Sequence, residues 1–278
     1  MNKVAIVTGA NQGLGFALVK ALCKQLGSAA SVYLTARNAT RGEAAISKMN
    51  EKGLSPILHI LDVTDAKSVN TFAEKIREQH RGVDIVISNA AARISPNIPQ
   101  SEQVALFVNT NNHGTYRMIK AFMPLLRENA RFLVVASSFG TLRNLSPGLH
   151  DGFDVTKRSL EEIEKLIDKY VQLVETDQAA GHGWPEWINI PSKIAQVASA
   201  KIMARLMAKD ALEKGLLINA VCPGLVDTEA SRPWFEDMSS AQSPDQAAID
   251  VVWLATLPSG QDNPYGELVQ HRKIIPWK

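Results

Sequence analysis

Short apolar runs separated by stretches of helical period constrain this chain more than any other feature. The runs are VAIVT (4–8), SVYLTA (31–36), ILHILDV (57–63), DIVISNA (84–90), RFLVVAS (131–137), LLINAVC (216–222) and ELVQHR (267–272). Several are apolar throughout, as strands covered on both faces are. Between them, LVKALCKQL repeats apolar residues at 18, 19, 22 and 26, and IAQVASAKIMARLM does so at 194, 197, 198, 202 and 206. Strand and helix alternating in this way predict βαβ units and an α/β fold with a doubly wound parallel sheet. With 278 residues the chain has room for one sizeable core, and we read 1–278 as a single domain.

The rhythm breaks from about Asn144 to Gly183, where a loop and a charged helix, SLEEIEKLIDKYVQLVE, replace any strand. Ser159 and Glu162 have the spacing of a capping box, each able to satisfy the other's free amide. Leu160, Ile163, Ile167, Tyr170, Val171 and Val174 form one stripe. This segment reads as a helical insertion above the sheet.

The first strand runs into TGANQGLG, with Gly9, Gly13 and Gly15, and then into an amphipathic helix. Glycines allow a tight turn and close approach of backbone to a ligand, and the helix start offers free N–H groups to a pyrophosphate. In this setting the pattern points to a Rossmann-type dinucleotide site. The second strand ends LTARN, with Ala36 and Arg37 where an NAD site would place a carboxylate, and Arg41 follows. Guanidinium groups suit a ribose 2′-phosphate, so NADP(H) is expected, although Arg41 also reads as a solvated loop charge. Asp62 and Val63 end the third run, placed either to meet the adenine or, for Asp62, to cap the next turn.

Bulk properties narrow the field. A formal charge of +2 argues against nucleic-acid or membrane partners recruited by bulk electrostatics. The two cysteines, Cys23 and Cys222, sit in apolar contexts and suit a reducing, cytoplasmic setting. The chain begins at once with KVAIVTGA, unlike a leader, and no apolar window is long enough to span a bilayer. No metal site is expected.

Taken together, TGANQGLG, TARNATRGEAA, LDVTD, SNAA (88–91), NTNNHGT (109–115), VVASS (134–138), GWP (183–185), the lysine of WINIPSK and NAVCPGLVDT (219–228) resemble the short-chain dehydrogenase/reductase family. Within it, the chain is similar to the monomeric carbonyl-reductase branch. The resemblance implies that Gly9, Asn11, Gln12, Gly13, Leu14, Gly15, Arg37, Asn38, Arg41, Asp62 and Val63 bind the cofactor. It gives the same role to Asn89, Ala90, Ala91, Pro223, Gly224, Val226 and Thr228. It also implies that Asn111 bends a helix and holds a water, that Ser138 bonds the substrate oxygen, and that Lys193 grips the nicotinamide ribose. Typical members tetramerise; this branch carries an insertion over one interface, and Ser138 and Asn189, 51 residues apart, leave room for it, so a monomer is expected.

One departure outweighs the matches. The family's proton donor is a tyrosine four residues before the lysine, and here that position is Asn189. An amide donates a hydrogen bond but gives up no proton near pH 7. Pro191 predicts a helix start near itself, with Asn189 in a loop. Glu186 and His182 are nearby candidates for a substitute role, or plain loop residues; Tyr33, Tyr116, Tyr170 and Tyr265 read mainly as packing or loop residues.

Three readings follow: hydride transfer to an imine, iminium or activated carbonyl; steering of a ring closure or isomerisation; or NADP(H) binding as a sensor or scaffold. Ordinary ketone reduction with another proton donor comes behind the first two. Family members in fungal alkaloid pathways, reductases that also guide a cycloaddition, are precedents for the first two. Phe139, Trp184, Trp187, Trp234, Phe235 and Trp277 fall in segments expected around a bulky, aromatic substrate, whereas Trp253 reads as packing.

Overall fold

Successive side chains of a strand point to opposite faces of its sheet, so a strand apolar at every position needs cover on both. The computed structural model, which describes residues 2–278, provides that cover. Strands β1 (Val4–Val7), β2 (Ser31–Ala36), β3 (Ile57–Ile60), β4 (Val83–Ser88), β5 (Leu126–Val135), β6 (Leu217–Val221), β7 (Leu268–Gln270) and β8 (Lys273–Ile275) form one sheet. Their order is β3-β2-β1-β4-β5-β6-β7-β8, parallel except for the β7–β8 pair.

The helices are α1 (Gly13–Leu26), α2 (Ala39–Asn50), α3 (Ala66–His80), α4 (Gln100–Val108), α5 (Gly114–Phe122), α6 (Leu160–Glu175), α7 (Asn189–Leu206), α8 (Ala208–Lys214) and α9 (Pro244–Ala255). Val4, Ile6, Val86, Phe132 and Ile218 share one core with α3, α4, α5, α6 and α7. Ala5, Val7, Ile85, Ile87, Leu133 and Val221 share the other with α1, α2 and α9. The result is a single-domain Rossmann-type fold. Strand order reverses direction between β1 and β4, which opens a crevice at the carboxyl edge where such sheets bind ligands. Among the described residues no helix is long and apolar enough to cross a membrane.

Residues 144–183 contain short 3₁₀ turns and α6, with no strand. Ser159 and Glu162 form the reciprocal cap at its start. Leu160, Ile163, Ile167 and Tyr170 are buried, and each of the three aliphatic side chains stabilises by about 1.5–3 kcal/mol relative to exposure. Val171 and Val174 are only partly buried at the edge of that stripe. Polar contacts add to it: Tyr116 Oη donates to Glu161 at 2.9 Å, Lys120 Nζ meets Glu161 at 3.2 Å, and His113 Nε2 meets Asp168 at 2.9 Å.

Three boundaries differ from the sequence reading. The last run is a hairpin: β7 stops at Gln270 and β8 returns antiparallel, turning on His271 and Arg272, both with positive φ. Such a turn normally advertises itself with Asn-Gly, which is absent here. β5 starts at Leu126, with positive φ at Asn129 and a register irregularity against β4. Helix α7 begins at Asn189, two residues before Pro191, because the third helical residue also has no intrahelical acceptor for its N–H and so tolerates proline.

Candidate active site

The β1–α1 turn is built by close contact. A Cβ on Gly15 would stand 2.5 Å from Gly9 O and 2.7 Å from Asn89 Nδ2; one on Gly9, at φ 62°, would stand 2.8 Å from Ala90 Cα. Buried Thr8 fastens the β4 end to this turn, its hydroxyl accepting from Asn89 N at 2.8 Å and Ala90 N at 2.9 Å. Gly13 differs: at φ 54° its missing Cβ would find only Thr228 Cγ2, at 3.6 Å. Gln12 makes no side-chain cap, so the first amides of α1 stay available to an anion. This cradle fits a dinucleotide pyrophosphate.

At the end of β2, Arg37, Asn38 and Arg41 are exposed. Asn38 caps α2 by accepting from Arg41 N at 2.9 Å, and neither arginine has an ion pair among the described residues. Two free guanidinium groups stand where a carboxylate would select against a 2′-phosphate. Asp62 Oδ1 is taken by Thr64 N and Oγ1 at 2.9 and 2.7 Å, so one carboxylate oxygen serves the capping role. Val63 is buried and packs against Gly114. Ala91 is exposed, and Asn11, Leu14, Asn89, Ala90, Pro223 and Gly224 are half-buried around the same edge. Val226 pairs with Gln242, and Thr228 shares a hydroxyl contact with Ser231 at 3.1 Å.

Between α4 and α5 the helix widens into a π turn, Asn109–His113. Asn111 Oδ1 accepts from Ala92 N at 2.8 Å, and Asn112 exchanges bonds of 2.9 and 2.8 Å with Ser192 on α7. The Asn111 carbonyl accepts from two side chains, Thr115 Oγ1 at 2.6 Å and Gln196 Nε2 at 2.9 Å. Gln196 was not among the expected site residues. Its only sequence signal is an amide inside an apolar helix.

Lys193, in the same helix, donates to Val135 O at 3.2 Å and Gln196 Oε1 at 2.8 Å. Burial pushes its ammonium down to about 8. Buried Cys222 lies beside it and against the Ser138 hydroxyl; burial raises that thiol, opposed by N–H groups of Gly224 and Ser138 and by Lys193. Asn189 stands one turn before Lys193, half-buried, and its amide has no side-chain hydrogen bond among the described residues.

Aromatic rings gather at one end of this centre. Trp187 lies edge-on to Phe139 with centroids 5.2 Å apart and tilted against Trp234 at 5.4 Å. Trp234 Nε1 donates to Ile94 O, whereas the buried Trp187 Nε1 has no acceptor. Trp184 is placed otherwise than expected for a pocket wall. It is 6% exposed and packs on Tyr170 and Phe153, anchoring the insertion. Glu186 is exposed with no polar partner among the described residues; His182 is exposed and bonded to Gln178 O. No tyrosine fills the place before Lys193. The hydroxyls of Tyr33, Tyr116 and Tyr265 bond His80, Glu161 and Ala204, and Tyr170 is buried beside Trp184.

Sheet order and glycine-lined turn together define an α/β protein of the dinucleotide-binding class. The chain belongs to the short chain dehydrogenase family, whose profile matches residues 3–146. Carbonyl reductase (NADPH) 1 of Rattus norvegicus is 32% identical over 278 residues, 99% of this chain and 98% of its own length. The protein of the same name from Sus scrofa is 33% identical over 279 residues, covering 99% and 94%. In fold, the chain is similar to salutaridine reductase from Papaver somniferum, with TM-score 0.81 at 24% identity over 96% of this chain and 99% of the other.

Proposed function

We propose that the protein is an NADP(H)-dependent reductase acting on a carbon that is already strongly electrophilic, an iminium or activated carbonyl carbon on a bulky aromatic molecule. One observation carries this reading: an amide stands one turn before Lys193, and every tyrosine in the chain lies in other contacts. Reducing a ketone leaves an alkoxide that needs a proton, and a positioned acid typically contributes ~10²–10⁴ in rate to that step. Hydride addition to an iminium carbon gives a neutral amine and needs none, and the stabilised alkoxide left by an activated carbonyl can take its proton from water.

The cofactor reading rests on the cradle and on the NADPH in the relatives' name. The amides of α1 at Gly13 would take the pyrophosphate, Arg37 and Arg41 the 2′-phosphate, and Lys193 the nicotinamide ribose. NADP(H), when bound, supplies the hydride. Ser138 and Asn189 orient the acceptor, and Phe139, Trp187 and Trp234 hold its aromatic body. The protein works as a monomer, because α6 packs against α4 and α7, where the insertion would cover one of the faces through which typical family members tetramerise.

The test is a panel of cyclic iminium ions, imines and aryl ketones, followed by loss of NADPH absorbance. Faster turnover of iminium ions than of matched ketones supports the reading. Equal turnover of ketones overturns it, as does tight NADPH binding with no turnover on any acceptor. Elution as a tetramer, with mass by light scattering, would overturn the monomer.

A further inference from the structure

Gln196 is 2% exposed and reaches three groups at once. Its Nε2 donates to Asn111 O at 2.9 Å and to Thr115 Oγ1 at 3.1 Å, and its Oε1 accepts from Lys193 Nζ at 2.8 Å. Thr115 Oγ1 in turn donates to Asn111 O at 2.6 Å. A carbonyl oxygen has two lone pairs, and both of those on Asn111 are engaged by protein. Two of the three Lys193 donors are likewise engaged, leaving one for a ligand.

We propose that Gln196 is a positioning residue that clamps the Lys193 ammonium and seals the π turn behind it, so that Lys193 acts as a fixed cation with no proton path at its back. The proposal rests on the reading of Lys193 as the residue that meets the cofactor. Its physical core is the difference between an amide and a hydroxyl or water. An amide holds geometry through both ends but does not take up or release a proton near neutral pH. This arrangement matches a centre whose neighbouring position, Asn189, has no proton to be replenished.

The groups facing Lys193 are few. β5 offers the Val135 carbonyl, the end of β6 the Cys222 thiol, and α7 itself Gln196; among the described residues no carboxylate pairs with the ammonium. Its titration is therefore sensitive to what stands at 196.

The experiment is an NMR titration of lysine side chains labelled at Cε, in the full-length free protein, with Lys193 assigned by Lys193→Met. Gln196→Met removes the acceptor at similar volume and lowers the Lys193 midpoint; Gln196→Glu supplies a charge and raises it by about one unit or more. The same Gln196→Met protein binds NADPH about tenfold more weakly, as loss of a hydrogen bond to a charged group predicts. Midpoints within a few tenths of a unit of the unaltered protein in the folded variants overturn the clamp; Gln196→Met alone suffices should Gln196→Glu not fold. The titration uses neither cofactor nor acceptor, so failure of the reductase reading leaves this result separate.

Discussion

Asn189 is the first residue of α7 and Lys193 follows one turn later, so both project from the same side of the helix. Position 189 thus lies one turn from the ammonium, which Gln196 holds at 2.8 Å. Restoring a phenol there puts an ionisable hydroxyl next to a cation. Asn189→Tyr is expected to raise turnover of an aryl ketone by ~10²-fold, the lower end of what a positioned acid contributes. NADPH consumption at saturating cofactor measures it. An unchanged rate with intact NADPH binding would show that the missing phenol is not what limits ketones.

Much of this arrangement was legible in the chain. The apolar runs and the glycines between β1 and α1 are local signals, and they located the sheet and the cradle. Asn189 was legible because its place is counted from Lys193. Other features depend on residues far apart in sequence: Gln196 meets Asn111 across 85 positions, which no periodicity reveals. Trp184 was legible as an aromatic but not in its direction, which Phe153 and Tyr170 decide. The β7–β8 hairpin was hidden because His271 and Arg272 carry the positive φ that glycine or asparagine normally signals.

Burial gives Lys193 a pH signature. The unfolded chain keeps a lysine proton to the ordinary value of 10.5, whereas the folded protein releases it near 8. Between these values the unfolded state binds more protons, so this residue's contribution to stability rises with pH across that window and is lost as pH falls through about 8. Lys193→Met should remove the increment, on the order of 3 kcal/mol between pH 7 and pH 10.5. Urea unfolding of the cofactor-free proteins at both pH values measures the difference of differences.

Arg37 and Arg41 are exposed and free of ion pairs, so removing them leaves folding almost untouched. Each charged contact with a 2′-phosphate is worth about 1–2 kcal/mol. Arg37→Ala with Arg41→Ala should weaken NADPH binding by about 10²-fold and NADH binding by less than threefold. Fluorescence titration with both dinucleotides reads the ratio. Equal losses for the two would remove the phosphate from these arginines.

The Trp187 indole N–H is buried between Phe139 and Trp234 with no acceptor in the protein. A buried donor left alone costs about 1–3 kcal/mol, a cost that a substrate oxygen would relieve once the flanking rings part to admit it. Trp187→Phe keeps an aromatic ring and deletes the orphan. Its stability should stay within about 1 kcal/mol of the parent, while KM for aromatic acceptors that carry a hydrogen-bond acceptor rises about tenfold. Purely hydrocarbon analogues should shift little, and that contrast checks the assignment.

His113 ties the π turn to the insertion, meeting Glu164 through Nδ1 at 2.5 Å and Asp168 through Nε2 at 2.9 Å. Burial disfavours its charged form, but the bond to Glu164 and the charges of Glu164 and Asp168 outweigh burial and Arg117, and hold its pKa above 6.5. A histidine shifted upward stabilises the fold fully below pH 6.5, and the gain disappears as pH rises through the folded value. The α6 helix should therefore loosen on that rise, even though its apolar stripe stays in place. Amide hydrogen exchange across 160–175, corrected for the intrinsic pH dependence, should show protection falling as pH rises above 6.5. His113→Gln keeps a polar side chain without the charge and should abolish that pH dependence, giving the looser state throughout. Protection that follows the same pH curve in both proteins would mean that the stripe alone holds α6.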